Sequence, residues 1–78
     1  MKAKDLSFHQ AFGKHLLELI KERKLTPETV AARGEIETKA VYRVINAEHS
    51  PTLSILKAIA KGIDMKLAEL LDFKYGEL

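Results

Sequence analysis

The sequence predicts an all-α domain in which five short helices surround one apolar core. Apolar residues recur at helical spacing along the chain, and no segment alternates β-branched and polar residues over the length of a strand. Glycine and proline are sparse, with 4 and 2 of the 78 residues. A chain of this length has room for one core, so we expect a single domain over 1–78, with its core in 7–73 and a short tail at each end.

Helix 1 is predicted from an N-cap signal and one apolar stripe. Ser7 is a good N-cap residue, and Gln10 lies three residues later as its capping-box partner. The apolar residues that share one helical face are Phe8, Phe12, Leu16, Leu19 and Ile20. We therefore expect helix 1 to begin at Ser7 and to run to about Lys24.

Helices 2 and 3 are predicted to be short and joined by a tight turn. Thr26-Pro27-Glu28 combines a cap residue, a proline suited to the first helical position and an acid suited to the positive end of the helix dipole. Gly34-Glu35 is expected to form a left-handed or irregular turn. Helix 3 is expected at about 37–46, and its apolar side is Val41, Val44 and Ile45.

Helices 4 and 5 complete the predicted core. Thr52 follows a Ser-Pro break and is the expected N-cap of helix 4, and Asp64 is expected to end that helix in the left-handed conformation. The apolar stripe of helix 4 is Leu53, Leu56, Ile59, Ala60 and Ile63. A fifth helix is marked by Leu67, Leu70 and Leu71.

Several classes of function lack the residues they need. The absence of cysteine excludes disulfides, thiolate zinc sites and cysteine nucleophiles. The three histidines, His9, His15 and His49, are too scattered to form a metal site by local spacing. No paired-carboxylate, Ser/His/Asp or glycine-rich phosphate-loop arrangement occurs. We therefore expect no enzyme, no metal and no cofactor.

A cytoplasmic protein without membrane contact is also expected. No apolar run approaches the roughly 20 residues needed to cross a bilayer, and the first residues lead into an amphipathic segment rather than a signal-peptide core. The 13 basic and 11 acidic side chains leave a net charge of +2. A net charge this small does not indicate any particular class of binding partner.

From residue 12 to residue 71 the chain carries short motifs in a fixed order. They are Phe12-Gly13-Lys14-His15-Leu16, Leu25-Thr26-Pro27-Glu28-Thr29-Val30-Ala31, Val41-Tyr42-Arg43-Val44, Pro51-Thr52-Leu53, Ile59-Ala60-Lys61 and Leu67-Ala68-Glu69-Leu70-Leu71. In this joint register the sequence resembles the Xre-type helix-turn-helix regulators, the lambda repressor and Cro-like family of bacteria and phages. The resemblance implies a compact five-helix, lambda-repressor-like domain whose helices 2 and 3 form the helix-turn-helix.

That resemblance also implies sequence-specific DNA binding that regulates transcription. In a helix-turn-helix, the second helix lies in the major groove and the first anchors the DNA backbone. The positions that match the family's base-facing ones are Thr38, Lys39, Tyr42 and Arg43. Arginine or lysine can bind the O6 and N7 of guanine, and the threonine methyl or the tyrosine ring can contact a thymine methyl.

Phosphate contacts are expected at both ends of the helix-turn-helix. The residues concerned are Thr26, Pro27 and Glu28 at the start of helix 2, and Asn46, His49 and Ser50 after helix 3. Lys24 and Arg33 can add positive charge at the rim.

Regulators of this type usually bind as two-fold dimers on palindromic operators, so we expect a homodimer. The candidate dimer surface is a set of C-terminal apolar residues, Leu67, Leu71, Phe73, Tyr75 and Leu78. The alternative for these residues is an ordinary core edge followed by a frayed tail.

The chain departs from the family's pattern around its helix termini. Family members usually have glycine where Glu35 stands, and serine or threonine as a cap where Glu37 stands. These departures allow a shifted turn in which Thr38 becomes the cap. Lys66 likewise replaces the usual cap of helix 5, although Glu69 remains.

Two further departures from the family's pattern occur together, at positions of the predicted core. Family members often place arginine where Ile20 stands and glutamate where Ile45 stands, as a largely buried ion pair between helices 1 and 3. Replacing both partners of a buried pair with apolar residues is often neutral or stabilising, whereas replacing one leaves an uncompensated charge. We therefore predict that Ile20 and Ile45 touch.

The alternative function is a protein-interaction module, such as an antitoxin-type or adaptor domain, in which a protein partner is primary. Three acids and three bases cancel in residues 26–47, and this neutrality favours a protein partner more than DNA. The positions of Lys39, Tyr42 and Arg43 favour DNA. Salt dependence separates the two, because binding that neutralises phosphates weakens steeply as salt rises.

Overall fold

The computed structural model describes residues 3–75, and this part of the chain contains five helices and no strand. The helices are α1 (Ala3–Glu22), α2 (Pro27–Gly34), α3 (Thr38–Ile45), α4 (Leu53–Ile63) and α5 (Leu67–Leu70). The predicted all-α class and the predicted order of helices are confirmed. No helix within residues 3–75 has the length and apolar character needed to span a membrane.

The predicted start of helix 1 is wrong, and its end lies close to the predicted one. The helix begins at Ala3 rather than Ser7, because the residues before Ser7 are good helix formers and Asp5 suits the positive end of the dipole. Ser7 is therefore an exposed residue within the helix and not its cap. The helix ends at Glu22, two residues before the predicted end, and Lys24 lies beyond it with a φ of 58°.

Three helix starts depend on side-chain capping. The Thr26 hydroxyl accepts from the Thr29 amide at 3.2 Å, and the Thr52 hydroxyl accepts from the Ile55 amide at 3.1 Å, so both predicted caps are confirmed. At α5 the Lys66 side chain has no acceptor atom. The Glu69 carboxylate instead accepts from the Lys66 amide at 3.1 Å, which is the second half of a capping box.

Four helices end in the same hydrogen-bond pattern, each with a non-glycine residue at positive φ. These residues are Lys24, Glu35, Ala47 and Asp64, with φ between 54° and 64°. After α2, for example, Glu35 N–H donates to Ala32 O at 3.2 Å and Ile36 N–H donates to Ala31 O at 3.0 Å. This pair of bonds is the Schellman motif. The left-handed ends predicted at Glu35 and Asp64 are confirmed.

The core lies where α1 to α4 meet, and α5 closes it. Its buried side chains are Phe12, Leu16, Ile20, Val30, Ala31, Val41, Val44, Ala47, Ile59, Ala60, Ile63 and Leu70. The main contact of α2 is with α4, and α3 packs against α2 and α1. Burial of this apolar surface is the main force that holds the short helices together, since helices of 8 residues are not stable alone.

Glycines allow α2 and α4 to approach backbone to backbone. A Cβ on Gly34 would overlap the carbonyl oxygen of Ala58, and a Cβ on Gly62 would overlap that of Val30. Gly13 has the same role between α1 and the end of α3, against the carbonyl of Ile45. Because the obstacles are backbone atoms, no rotamer change could make room for a larger residue.

Ile20 and Ile45, which are predicted to touch, lie on α1 and α3, and these two helices pack against each other. Ile20 is fully buried, and Ile45 is half-buried and packs against the core from α3. Because both residues are apolar, neither one brings a charge into the core. This agrees with the replacement of both partners of a buried ion pair rather than of one partner alone. Direct contact between the two side chains stays a prediction.

Lys24→Gly is expected to raise the free energy of unfolding by about 0.5–1 kcal/mol, because glycine adopts positive φ without the Cβ penalty. Lys57→Gly is the matched control, since Lys57 is exposed within α4. It should lower the free energy of unfolding by about 1 kcal/mol. Urea denaturation measures both, and a loss of stability in the Lys24 variant would show that the left-handed residue is not strained.

Candidate nucleic-acid interface

The outer face of α3 presents the four predicted base-facing residues together. Val41 and Val44 are buried on the inner side and fix how α3 sits on the core. Lys39 and Tyr42 are exposed, and Thr38 and Arg43 are half-buried. Positions 38, 39, 42 and 43 lie one turn apart in pairs, so their side chains share one face. The structure thus places all four in a single patch.

Glu37, rather than Thr38, occupies the N-cap position of α3. The Glu37 side chain makes no capping hydrogen bond, and Thr38 is the first residue of the helix. The alternative in which Thr38 becomes the cap is therefore wrong. The Ala40 amide donates to the Glu37 carbonyl at 3.0 Å, which begins the helical pattern without help from a side chain.

A hydrogen bond between side chains joins α3 to the start of α2. The Tyr42 hydroxyl donates to Glu28 Oε2 at 2.8 Å. This bond lowers the pKa of the Glu28 carboxyl, with a smaller contribution from the residue's own backbone amide. The same bond raises the pKa of the Tyr42 hydroxyl. At neutral pH the carboxylate is therefore ionised and the phenol keeps its proton.

Sequence reasoning placed Glu28 and Tyr42 in the interface but did not pair them. The two residues are 14 positions apart and on different helices, so helical spacing gives no signal for their contact. Only the angle between α2 and α3 brings them together. Their chemical types, a phenol donor and a carboxylate acceptor, are the one sequence feature compatible with the bond.

The start of α2 has few free amides for a phosphate. Pro27 has no N–H, and the Thr29 amide is already bonded to Thr26 Oγ1. The Val30 amide donates to the Thr26 carbonyl at 3.0 Å. The Glu28 amide is the one first-turn amide that the Thr26 cap leaves unbonded, and it faces the carboxylate of its own side chain.

The other predicted phosphate contacts follow the C-terminal end of α3. Asn46, His49 and Ser50 are all exposed there. Ala47 between them is buried with a φ of 54°, and the Glu48 amide donates to the Arg43 carbonyl at 2.9 Å.

The three acids of the helix-turn-helix differ in their surroundings. Glu28 binds Tyr42, and Glu35 forms a 3.8 Å ion pair with Lys61 of α4. Both members of that ion pair are well exposed, so the pair adds little stability. Glu37 has no hydrogen bond or ion pair from its side chain to any residue within 3–75. It is the acid nearest the start of the α3 face.

The candidate dimer surface is partly occupied by the chain itself. Phe73 stacks on His15, with ring centroids 5.1 Å apart, and Tyr75 packs edge-on against Phe8 at 5.2 Å. The His15 ring nitrogen Nε2 also bonds to the Leu70 carbonyl at 3.1 Å, which holds the C-terminal segment against α1.

The remaining members of that surface differ in exposure. Leu67 is half-buried against the core, Leu71 is 42% exposed, and Leu78 lies outside the described residues. Sequence reasoning missed Leu53, which was assigned to the buried stripe of helix 4 but is 73% exposed. Its position at the first turn of α4 points it away from the core.

Comparisons with known proteins agree with this geometry. A family model described as the Cro/C1-type helix-turn-helix DNA-binding domain matches residues 15–75, which include α2, the turn and α3. Among solved structures, the chain is similar to the restriction-modification controller protein C.AhdI from Aeromonas hydrophila. That similarity has a TM-score of 0.74 and 25% sequence identity, over 81% of this chain and 96% of that chain. No curated protein sequence matches the chain.

Glu37→Asp is expected to raise the free energy of unfolding by about 1 kcal/mol, because aspartate is short enough to cap the free amides of α3 and keeps the negative charge. Glu18→Asp, at an exposed position within α1, is the control. It should lower stability by roughly 0.3 kcal/mol through helix propensity. Denaturant unfolding of both variants checks this, and an equal loss in both would contradict the missing cap.

Proposed function

Because the chain belongs to the Cro/C1-type helix-turn-helix DNA-binding family, we propose that it is a transcriptional regulator that recognises a specific operator through α3. The observation that carries the proposal is the single outer patch of Thr38, Lys39, Tyr42 and Arg43. A helix fixed by Val41 and Val44 offers these side chains to a groove in a defined orientation. Similarity to a restriction-modification controller supports a regulatory role.

Each base-facing residue has a chemistry suited to the major groove. Arg43 and Lys39 supply donors for the O6 and N7 of guanine, and the methyl group of Thr38 suits the methyl group of thymine. Tyr42 adds a ring and a hydroxyl at the centre of the patch. Direct contacts of this type distinguish all four base pairs in the major groove.

Phosphates are bound at the two ends of the interface. At the start of α2 the donors are the Thr26 hydroxyl and the Glu28 amide, which the phosphate shares with the Glu28 carboxylate, while Pro27 orients the turn without donating. Beyond α3 the polar side chains of Asn46, His49 and Ser50 take the same role. Lys24 and Arg33, both exposed, add charge at the rim.

A homodimer places two copies of α3 on the half-sites of a palindromic operator. Leu71 supports this proposal because it is an exposed leucine beside a small groove. The groove is lined by Phe8, His9, Phe12, Pro51, Leu56 and Leu71. Phe73 packs on Phe12 and Tyr75 packs on Phe8, so both residues contact side chains of α1 that line this groove.

Selection of bound sequences from a random DNA pool tests the proposed function. A palindromic consensus is the expected result, and failure to enrich any sequence would contradict specific DNA recognition. A protein-interaction module is the second candidate, favoured by the neutral charge of residues 26–47. DNA binding that weakens steeply with salt supports the first candidate, because phosphate contacts release counterions.

Arg43→Ala is expected to weaken binding to the selected operator by about 1–3 kcal/mol and to relax the preference at one base position, because a guanine loses its bidentate partner. Arg33→Ala is the control, since Arg33 lies in the last turn of α2 and outside the α3 patch. It should leave base preference unchanged. Gel-shift titration measures both variants, and full affinity and specificity in Arg43→Ala would reject the assigned role.

Leu71→Asp is expected to shift the protein from dimer to monomer, because a charge at the centre of an apolar contact loses its hydration without gaining a partner. Leu53→Asp is the control, being a more exposed leucine outside the proposed surface. Light scattering at high micromolar concentration distinguishes the two. A monomeric wild-type protein would contradict dimerisation through this surface.

A further inference from the structure

We propose that Glu28 determines base specificity through Tyr42, by making the tyrosine hydroxyl an acceptor that selects a base with an amino group, cytosine or adenine, in the major groove. This inference rests on the proposed function, because it assigns a target to one residue of the α3 patch. It differs from the contact between the Tyr42 ring and a thymine methyl that the sequence alone suggests.

The single proton of the Tyr42 hydroxyl is used in the bond to Glu28. A phenol has one proton and two lone pairs on its oxygen, and an ionised carboxylate has acceptors only. The Tyr42 oxygen lies 2.8 Å from Glu28 Oε2, an ordinary distance for O–H···O. Since Glu28 is ionised at neutral pH, with its pKa lowered by this bond, the proton belongs to Tyr42 and points to Glu28. The hydroxyl then has only lone pairs left for DNA.

Tyr42 stays accessible while it makes this bond. The residue is 39% exposed and shares its helical face with Thr38, Lys39 and Arg43. Glu28 lies in the first turn of α2, whose start is fixed by the Thr26 cap. The acceptor is therefore anchored to the folded core, and the tyrosine is held in one pose before DNA arrives.

The donors and acceptors on the base edges determine which bases can bond to the lone pairs of Tyr42. In the major groove, cytosine presents its N4 amino group and adenine its N6 amino group, both donors. Guanine O6 and thymine O4 are acceptors, so they would face the lone pairs of Tyr42 without a proton between them. Leaving such groups desolvated and unpaired corresponds to about tenfold to hundredfold weaker binding.

Parallel selections from a random DNA pool test the proposal, with the wild-type protein, Tyr42→Phe and Glu28→Gln. The wild-type consensus should contain one position per half-site that favours cytosine or adenine. Tyr42→Phe should lose that preference by about tenfold and keep the rest of the consensus, which also shows that the variant folds. Glu28→Gln should admit guanine or thymine there, because a glutamine amide can donate to the phenol oxygen and free its proton for the base.

A matched control separates this effect from general damage. Glu18→Gln removes an acid from the exposed face of α1. This variant should select the wild-type consensus. In a second measurement, the selected cytosine or adenine is replaced by 2-pyrimidinone or purine, which lack the amino group. That change should weaken wild-type binding about tenfold and leave Tyr42→Phe binding unchanged.

Distinct results overturn the inference and the proposed function. If the wild-type protein yields a consensus that Tyr42→Phe also selects in full, the inference is wrong and specific DNA recognition stands. A Tyr42-dependent position that favours thymine or guanine also overturns it. If the wild-type protein enriches no sequence, the proposed function fails and the inference fails with it.

Discussion

The close approach of α2 and α4 is the constraint on which the rest of the structure depends. Gly34 lies against the Ala58 carbonyl and Gly62 against the Val30 carbonyl, so the two helices touch through their backbones at two points. Backbone atoms cannot change rotamer, and two such points fix both the distance and the angle between the helices. The position of α2 on the core therefore does not depend on flexible side chains.

That fixed position of α2 determines where α3 lies. Only three residues separate the two helices, and the first of them, Glu35, has a φ of 60° that reverses the chain. The amide of Ile36 then returns to the Ala31 carbonyl, so the turn is bonded to the helix that precedes it. With Val41 and Val44 buried, α3 can present only one face outward. The 2.8 Å bond between Glu28 and Tyr42 is a consequence of this crossing.

Local chemistry was enough to predict much of the fold. Thr26, Thr52, Glu35 and Asp64 were assigned correctly because capping and left-handed ends depend on neighbours within a few residues. Ser7 failed because a cap signal competes with the helix propensity of the residues before it, and propensity prevailed here. The limits of α1 thus follow from a balance that no single local signal decides.

Contacts between distant residues were beyond sequence reasoning for a different reason. The Glu28 to Tyr42 bond depends on a crossing angle, and that angle depends on glycines in α2 and α4 whose packing role spacing does not reveal. Phe73 and Tyr75 were equally suited to a dimer surface or to their own core, because apolar character does not specify the partner. The choice follows from the rings of Phe8, Phe12 and His15 on α1. These rings provide a stacking surface next to α5.

The acids of the helix-turn-helix change how affinity and specificity are related. A basic domain binds all DNA through phosphates, and that attraction is independent of sequence. Three acids that cancel three bases in residues 26–47 reduce this attraction, whereas contacts to base edges are short-ranged and keep their strength. The ratio of specific to non-specific binding therefore rises as the overall attraction falls. Under the proposed function, an acid that orients a base-facing tyrosine adds selectivity at the cost of phosphate attraction, and the proposed second copy of the domain restores the lost affinity.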